Sequence, residues 1–351
     1  MRELFESTIE RLLADGSDSE TVLASEGGVW SAALWEAIED SGFTLAAAPE
    51  SLGGADAGWA DLYVIARAAG RHAVPLPLAE ALLGNWLLGR CGLEPQSTGL
   101  SFAASAQLSL TAGRVSGVVR DVPWGRHVQS VVAVADTKGA GPSLVVLARE
   151  RAQAVEQSLN VAGEPRDALF FTDATVVDSA PLPNGLSSEV LQIGGALIRS
   201  AQIAGALSRL LDMTSEYASQ RNQFGKPIGA FQAIQQQLAV FAEQTAAANS
   251  AAEAAFVQSD RALNWFAIAV AKVCAADAAT QGANIAHAVH GAIGFTQEYA
   301  LQLYTRRLWA WRGEFGCATR WSQQIGAQVC AVGGEGFWPL LTQDCLSGAS
   351  A

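Results

Sequence analysis

At 351 residues the chain is long enough for two or three domains, and with half its residues hydrophobic and 16% charged it is globular rather than disordered. A net charge of −12 without any basic run argues against nucleic acid, whose phosphates need a cationic surface. No stretch offers the ~20 uncharged apolar residues of a membrane helix, since the most apolar window, Ala262 to Ala279, is broken by Lys272 and Asp277.

The chain opens Met1-Arg2-Glu3-Leu4-Phe5-Glu6, with acids where a secretory peptide has a basic start and an apolar run, so a cytoplasmic location is expected. Leu4, Ile9, Leu12 and Leu13 recur at helical spacing, as do Trp30, Leu34, Trp35 and Ile38. Pro49, Gly53, Gly54 and Gly58 mark a long turn before a further helix from Trp59 to Gly70. These features define a helical N-terminal domain over residues 1–96.

Residues 97–185 differ in texture. Short β-branched or alternating runs (Val128 to Val134, Leu144 to Leu147, Leu169 to Val177) are separated by Gly, Pro, Asp and Asn, which predicts an antiparallel β-domain. Residues 186–333 return to long Ala-rich helical segments with breaks near Arg221–Gly229, Ser259–Asp260 and Gly291–Gly294. Small residues let such helices approach closely in an antiparallel bundle of four. The Gly- and Ser-rich remainder, 334–351, is expected to be a loose tail. Five scattered cysteines (Cys91, Cys274, Cys317, Cys330, Cys345) without a C-x-x-C pair predict free thiols and no metal site.

Two segments carry chemistry. The first is Arg221-Asn222-Gln223-Phe224-Gly225-Lys226-Pro227-Ile228, followed by Phe231-Gln232. It places a cation and an aromatic at a helix break; guanidinium forks bind phosphate oxygens and aromatic rings stack on bases. The alternative is a capping turn with a solvated arginine. The second is His290-Gly291-Ala292-Ile293-Gly294-Phe295, where glycines after a long helix permit close backbone approach to a ligand. His290 is either a ligand contact or a satisfied helix-end histidine.

The first segment resembles the helix-turn-helix of acyl-CoA dehydrogenases, and the second resembles that family's His-Gly-Gly-x-Gly loop, with Ala288 and Ala292 replacing a Gln and a Gly. Gly42, Pro49-Glu50 and Gly53-Gly54 are similar to the family's N-terminal turn. The resemblance implies an α+β fold made of an N-terminal helical domain, a middle β-domain and a C-terminal four-helix bundle. It also implies FAD as cofactor, an acyl-CoA substrate and an electron-transfer flavoprotein as acceptor. Arg221, Gln223, Phe224, Gln232, His290 and Gly291 are the FAD-site residues it implies, with Arg221 and Phe224 reaching the FAD of a neighbouring subunit across an interface.

Desaturation of an acyl-CoA needs a carboxylate base near neutral pKa. By the resemblance, Phe315 stands at one family base position and Gly195 at the other; Glu314, one residue early, is the remaining candidate base or an ion-pair partner of Arg306, Arg307 and Arg312. The family's Thr-Glu-Pro flavin segment is absent from the shortened β-domain, and Val119 to Trp124 stands in place of its Trp-Ile-Thr strand, leaving Trp124 as a lone flavin contact or a core aromatic. This pattern resembles the base-lacking subunit of bacterial α2β2 acyl-CoA dehydrogenases of steroid side-chain degradation. The competing expectations are a self-sufficient homo-oligomer using Glu314 and a flavin-free scaffold.

Overall fold

A computed structural model describes residues 1–139, 141–260 and 262–342. Five helices form the N-terminal part: α1 (Arg2–Gly16), α2 (Ser19–Glu26), α3 (Ala32–Asp40), α4 (Trp59–Arg71) and α5 (Leu78–Arg90). Helix α2 starts where the Asp18 side chain accepts from Thr21 N, a capping bond that satisfies one of the helix's free amides. Of the apolar residues expected at helical spacing, Ile9, Leu13, Leu34, Trp35 and Ile38 are buried, Leu12 and Trp30 are partly buried, and Leu4 is exposed.

Eight strands follow: β1 (Leu100–Ala103), β2 (Ser105–Thr111), β3 (Arg114–Pro123), β4 (Ser130–Thr137), β5 (Gly141–Ala148), β6 (Ala154–Glu156), β7 (Arg166–Thr175) and β8 (Asp178–Pro181). The main path of the sheet is β6-β7-β3-β2-β4-β5-β8, with β1 beside β4. The expectation of a purely antiparallel domain needs correction, because β1 and β2 both run parallel to β4. Strand β3 turns back from β2 in a hairpin, so the chain re-enters the sheet in the original direction when β4 begins. Pairing also slips: Ala103 faces Ala133, but Ser109 faces Asp136, so one strand spends three more residues than the other. A groove of about 940 Å³ opens at that slip, lined by Gln107, Ser109, Asp136 and Lys138 among others.

The C-terminal part is α6 (Val190–Gln220), α7 (Gln232–Gln258), α8 (Trp265–His290), α9 (Leu301–Trp311) and α10 (Ala318–Thr342). Helices α6, α7 and α8 pack on one another, and α10 adds the fourth long helix against α8. By length and composition α6 could cross a membrane, yet 89% of its apolar window is buried inside this fold. Helix α6 is also the joint to the N-terminal part. A Cβ on Gly205 would stand 1.9 Å from the Arg67 carbonyl oxygen, and one on Gly70 would stand 1.9 Å from that of Gln202. Only glycine at both points lets the backbones of α4 and α6 touch. The loose tail expected from 334 is instead helical as far as Thr342, after a break at Gly333 (φ 70°); positions 343–351, including Cys345, lie outside the described residues.

Candidate functional site

One end of the bundle gathers the exposed, ligand-competent groups. Helix α6 stops at Gln220, and residues 222–227 form a hairpin in which Asn222–Gln223 pairs with Lys226–Pro227. The hairpin closes on Phe224 and Gly225, both left-handed, at φ 52° and 80°. Two consecutive left-handed residues make the turn that Asn-Gly fills most easily. A phenylalanine there adopts a strained backbone conformation. Its ring is 93% exposed, with only an edge contact to Phe231 at 6.1 Å. The Arg221 guanidinium has no ion pair among the described residues. Gln223 and Gln232 are exposed on the same connection.

The glycine loop lies at this end too. Tyr217, one turn before Arg221, stacks on His290 with ring centroids 4.4 Å apart. Gly291 follows at φ 62°, ψ −139°, a combination open to glycine. His290 itself is 3% exposed. Its Nδ1 bonds to the Ala286 carbonyl at 2.8 Å and its Nε2 to the Tyr299 hydroxyl at 3.2 Å. Both ring nitrogens of His290 are thus satisfied inside the protein.

A second locus lies between the β-domain and the bundle, where a cleft of about 500 Å³ is lined by Arg120, Asp121, Asn160, Trp309, Glu314 and Phe315 among others. Phe315 holds φ 55° and its ring presses on α6, so that a Cβ on Gly195 would stand 2.5 Å from ring atoms. Phe102 packs on the same ring at 5.3 Å, and the Arg199 guanidinium lies 5.4 Å from its centroid. The two base positions taken from the resemblance thus meet at one point in space, and neither brings a carboxylate.

Glu314 turns away from that point into a buried ion network. Its oxygens accept from Arg166 Nε at 2.9 Å, Arg199 Nε at 2.8 Å and Asn160 Nδ2 at 3.0 Å. Arg199 also pairs with Glu80 at 2.7 Å, and Arg166 with Glu164 at 2.9 Å. Burial alone would raise the Glu314 pKa, but Arg166 and Arg199 overrule it and hold it down to about 2. Its partners come from β7 and α6, correcting the expectation that Arg306, Arg307 and Arg312 would pair it. Arg306 and Arg307 pair with Glu26 instead. Behind the network Lys272 is buried, donating to the carbonyls of Trp311 and Arg312 at 3.1 and 2.8 Å, and burial lowers its pKa to about 7.

Comparison with known proteins places these features. Residues 194–334 match the family model "Acyl-CoA dehydrogenase, C-terminal domain". The acyl-CoA dehydrogenase FadE34 of Mycobacterium tuberculosis is 30% identical over 295 residues, which is 80% of this chain and 40% of that protein. The chain belongs to the acyl-CoA dehydrogenase family. It spans well under half the length of FadE34. The ChsE4–ChsE5 complex from M. tuberculosis shares its fold at a TM-score of 0.83 and 23% identity, covering 94% of this chain and 97% of that one. The Tcur3481–Tcur3483 steroid ACAD does so at 0.82 and 22%, covering 94% and 97%.

Acyl-CoA dehydrogenases are FAD-dependent oxidoreductases, so both loci of this family member can be tested for fit to that cofactor. The bundle end fits: a guanidinium without an ion pair among the described residues, an exposed ring and a glycine-only turn suit a diphosphate joined to an adenine. The interior cleft is more mixed: the charged Arg120 and Asp121 line it together with Ser105, Ser158 and Asn160. Trp124 does not reach the cleft: it is buried in the β-domain core, edge-on to Trp30 at 6.3 Å. Arg199 carried the one legible hint of the network, a lone charge in the run from Gly194 to Leu207, whereas nothing local marked Glu80, Glu164 or Arg166.

Proposed function

We propose that this chain is one subunit of an FAD-dependent acyl-CoA dehydrogenase, lacks a base of its own, and completes the FAD site of a homologous partner subunit in an α2β2 assembly. The observation that carries the reading is Phe224, an aromatic held 93% exposed by a strained turn beside an Arg221 that makes no ion pair among the described residues. A protein keeps such strain where the group has work to do. Bound FAD supplies the hydride acceptor for α,β-desaturation of the acyl thioester. Arg221 offers a bidentate donor to the diphosphate, Phe224 a stacking face to the adenine, and Gly291 an approach free of a Cβ. The base that takes the α-proton belongs to the partner.

Phe315 and Gly195 support the absence of a base here, since they fill the space a carboxylate would need. An ionised, doubly paired Glu314 counts against the self-sufficient alternative. The flavin-free scaffold leaves Phe224 without a purpose. A fold shared with a two-chain complex and with a steroid ACAD supports a homologous partner and a bulky steroid side-chain thioester as substrate. Electron-transfer flavoprotein is the acceptor on this reading, and the four free thiols among the described residues support a cytoplasmic setting.

Flavin content tests it. The chain purified alone should be colourless, and co-expression with a homologous dehydrogenase subunit should give a yellow complex holding one FAD for each pair of chains. Stoichiometric flavin on the isolated chain would sink the proposal.

A further inference from the structure

Strand β3 slips against β7 between Val119 and Val122, so that Arg120 and Asp121 together stand opposite Ala168. Such a bulge re-aims side chains that would otherwise alternate across the strand. Both residues line the cleft of about 500 Å³ between the β-domain and the bundle. Asp121 holds φ 54° there, and Phe315 on the bundle side holds φ 55°. Left-handed non-glycine residues cost conformational energy, and they collect where a ligand is to be held.

The mouth of this cleft is apolar. Trp309, Leu159 and Val161 line it while remaining 37%, 54% and 67% exposed. Arg312 lies 4.0 Å over the Trp309 ring and donates to Thr280 Oγ1 at 2.8 Å, so the indole is fixed in place. Apolar walls around a few polar groups are the ordinary make-up of a small-molecule site, and the volume suits one organic ligand. Neither Arg120 nor Asp121 makes an ion pair among the described residues; the Arg120 guanidinium lies 5.7 Å from the centre of the Phe170 ring. Glu314 adds little charge to the cleft, since Arg166 and Arg199 both pair with it.

Charge sets the ligand class. One cation beside one anion favours a single negative charge close to Arg120, whose fork grips a carboxylate or sulfonate. A phosphate dianion or a diphosphate would meet Asp121 as a like charge. We propose that this cleft binds a monoanionic amphiphile, an organic acid with a bulky apolar body, and excludes FAD and coenzyme A. Arg120 takes the acid group, Trp309, Leu159 and Val161 take the body, and Asp121 turns away polyphosphates. The site shares no residue with the Arg221–Phe224 clamp, so it stands whether or not that clamp serves a partner's flavin.

The test is a titration of the full-length chain with anilinonaphthalene sulfonate, which joins apolar rings to one sulfonate and brightens on leaving water. Arg120→Gln should raise the probe's Kd about tenfold, the worth of a charge-assisted contact. Trp309→Ala should raise it about 3- to 10-fold through loss of an aromatic wall. Asp121→Asn, which keeps a residue tolerant of the left-handed turn, should lower it about 2- to 5-fold by removing a like charge. Val257→Ala on α7 alters an apolar residue of similar exposure and should match wild type. All four side chains are exposed, and equal melting temperatures certify the folds. Cholate, a fused-ring carboxylate, should displace the probe, whereas FAD and coenzyme A should not. A Kd unmoved by Arg120→Gln or by Trp309→Ala overturns the proposal, and so does displacement by either nucleotide. Failure of cholate to compete overturns the carboxylate class. An equal loss in Val257→Ala and Trp309→Ala would place the probe on the general surface and overturn the site.

Discussion

Phe315 rests directly against Gly195, joining a loop after α9 to the second turn of α6. The contact closes the place where either of two family carboxylates would project. A Cβ at position 195 would come within 2.5 Å of the ring, so Gly195→Ala should lose about 1–3 kcal/mol in chemical denaturation through overpacking. Adding Phe315→Ala should recover part of that loss, giving a non-additive double-mutant cycle. Additive effects would mean the ring and the glycine do not press on each other.

Glu314 gives the network its acid limit. Its pKa lies near 2 in the folded protein against an ordinary 4.5, so its stabilising share is complete above 4.5 and fades as pH falls towards 2. Glu314→Gln should cost about 3–5 kcal/mol at neutral pH, because Arg166 and Arg199 lose their shared carboxylate. The gap between wild type and variant should narrow through that acid window. A gap independent of pH there would show that the carboxylate is not ionised in the fold.

Lys272 gives a slope of the same sign in a higher window, for the opposite reason: its charged form is disfavoured in the fold. Its folded pKa near 7 lies below the ordinary 10.5, so between those values the unfolded chain holds more protons and stability rises with pH. Below 7 both states are protonated and the cost of burying the charge is constant. Lys272→Met should remove the slope and leave a fixed loss from the freed Trp311 and Arg312 carbonyls. Urea melts at pH 7 and pH 10 on both proteins measure it, and equal slopes would refute a neutralised amine.

Arg221 should matter only to the assembled site. Arg221→Ala should leave the melting temperature of the isolated chain unchanged, since its guanidinium has no ion pair among the described residues. In the complex, the loss of a charge-assisted contact to phosphate should lower FAD affinity by about tenfold or more. Full flavin retention by that complex would contradict a role in the partner's site.

Much of this was legible in the sequence. Helical spacing located α1, α3 and α4, the glycine and proline breaks located the ends of α6 and α8, and the Arg221–Pro227 string located the exposed turn. These are local signals, set by period and backbone freedom. Glu314 was not legible in the same way: its partners Arg166 and Arg199 lie 148 and 115 residues away, and no periodicity encodes such a pairing. The parallel run of β1 with β4 was hidden too, because strand texture does not reveal direction. For His290, neither the Tyr217 stack nor the Tyr299 bond was legible in the sequence, since both join residues on different elements.

The network also bears on the order of synthesis. Glu26 finds Arg306 and Arg307 across 280 and 281 residues, and Glu80 finds Arg199 across 119. While the first helices leave the ribosome those carboxylates have no counter-charge and stay hydrated, so the N-terminal helices cannot settle into their final packing. Their consolidation waits for α6 and then α9, and contacts of such sequence separation slow the folding of this chain.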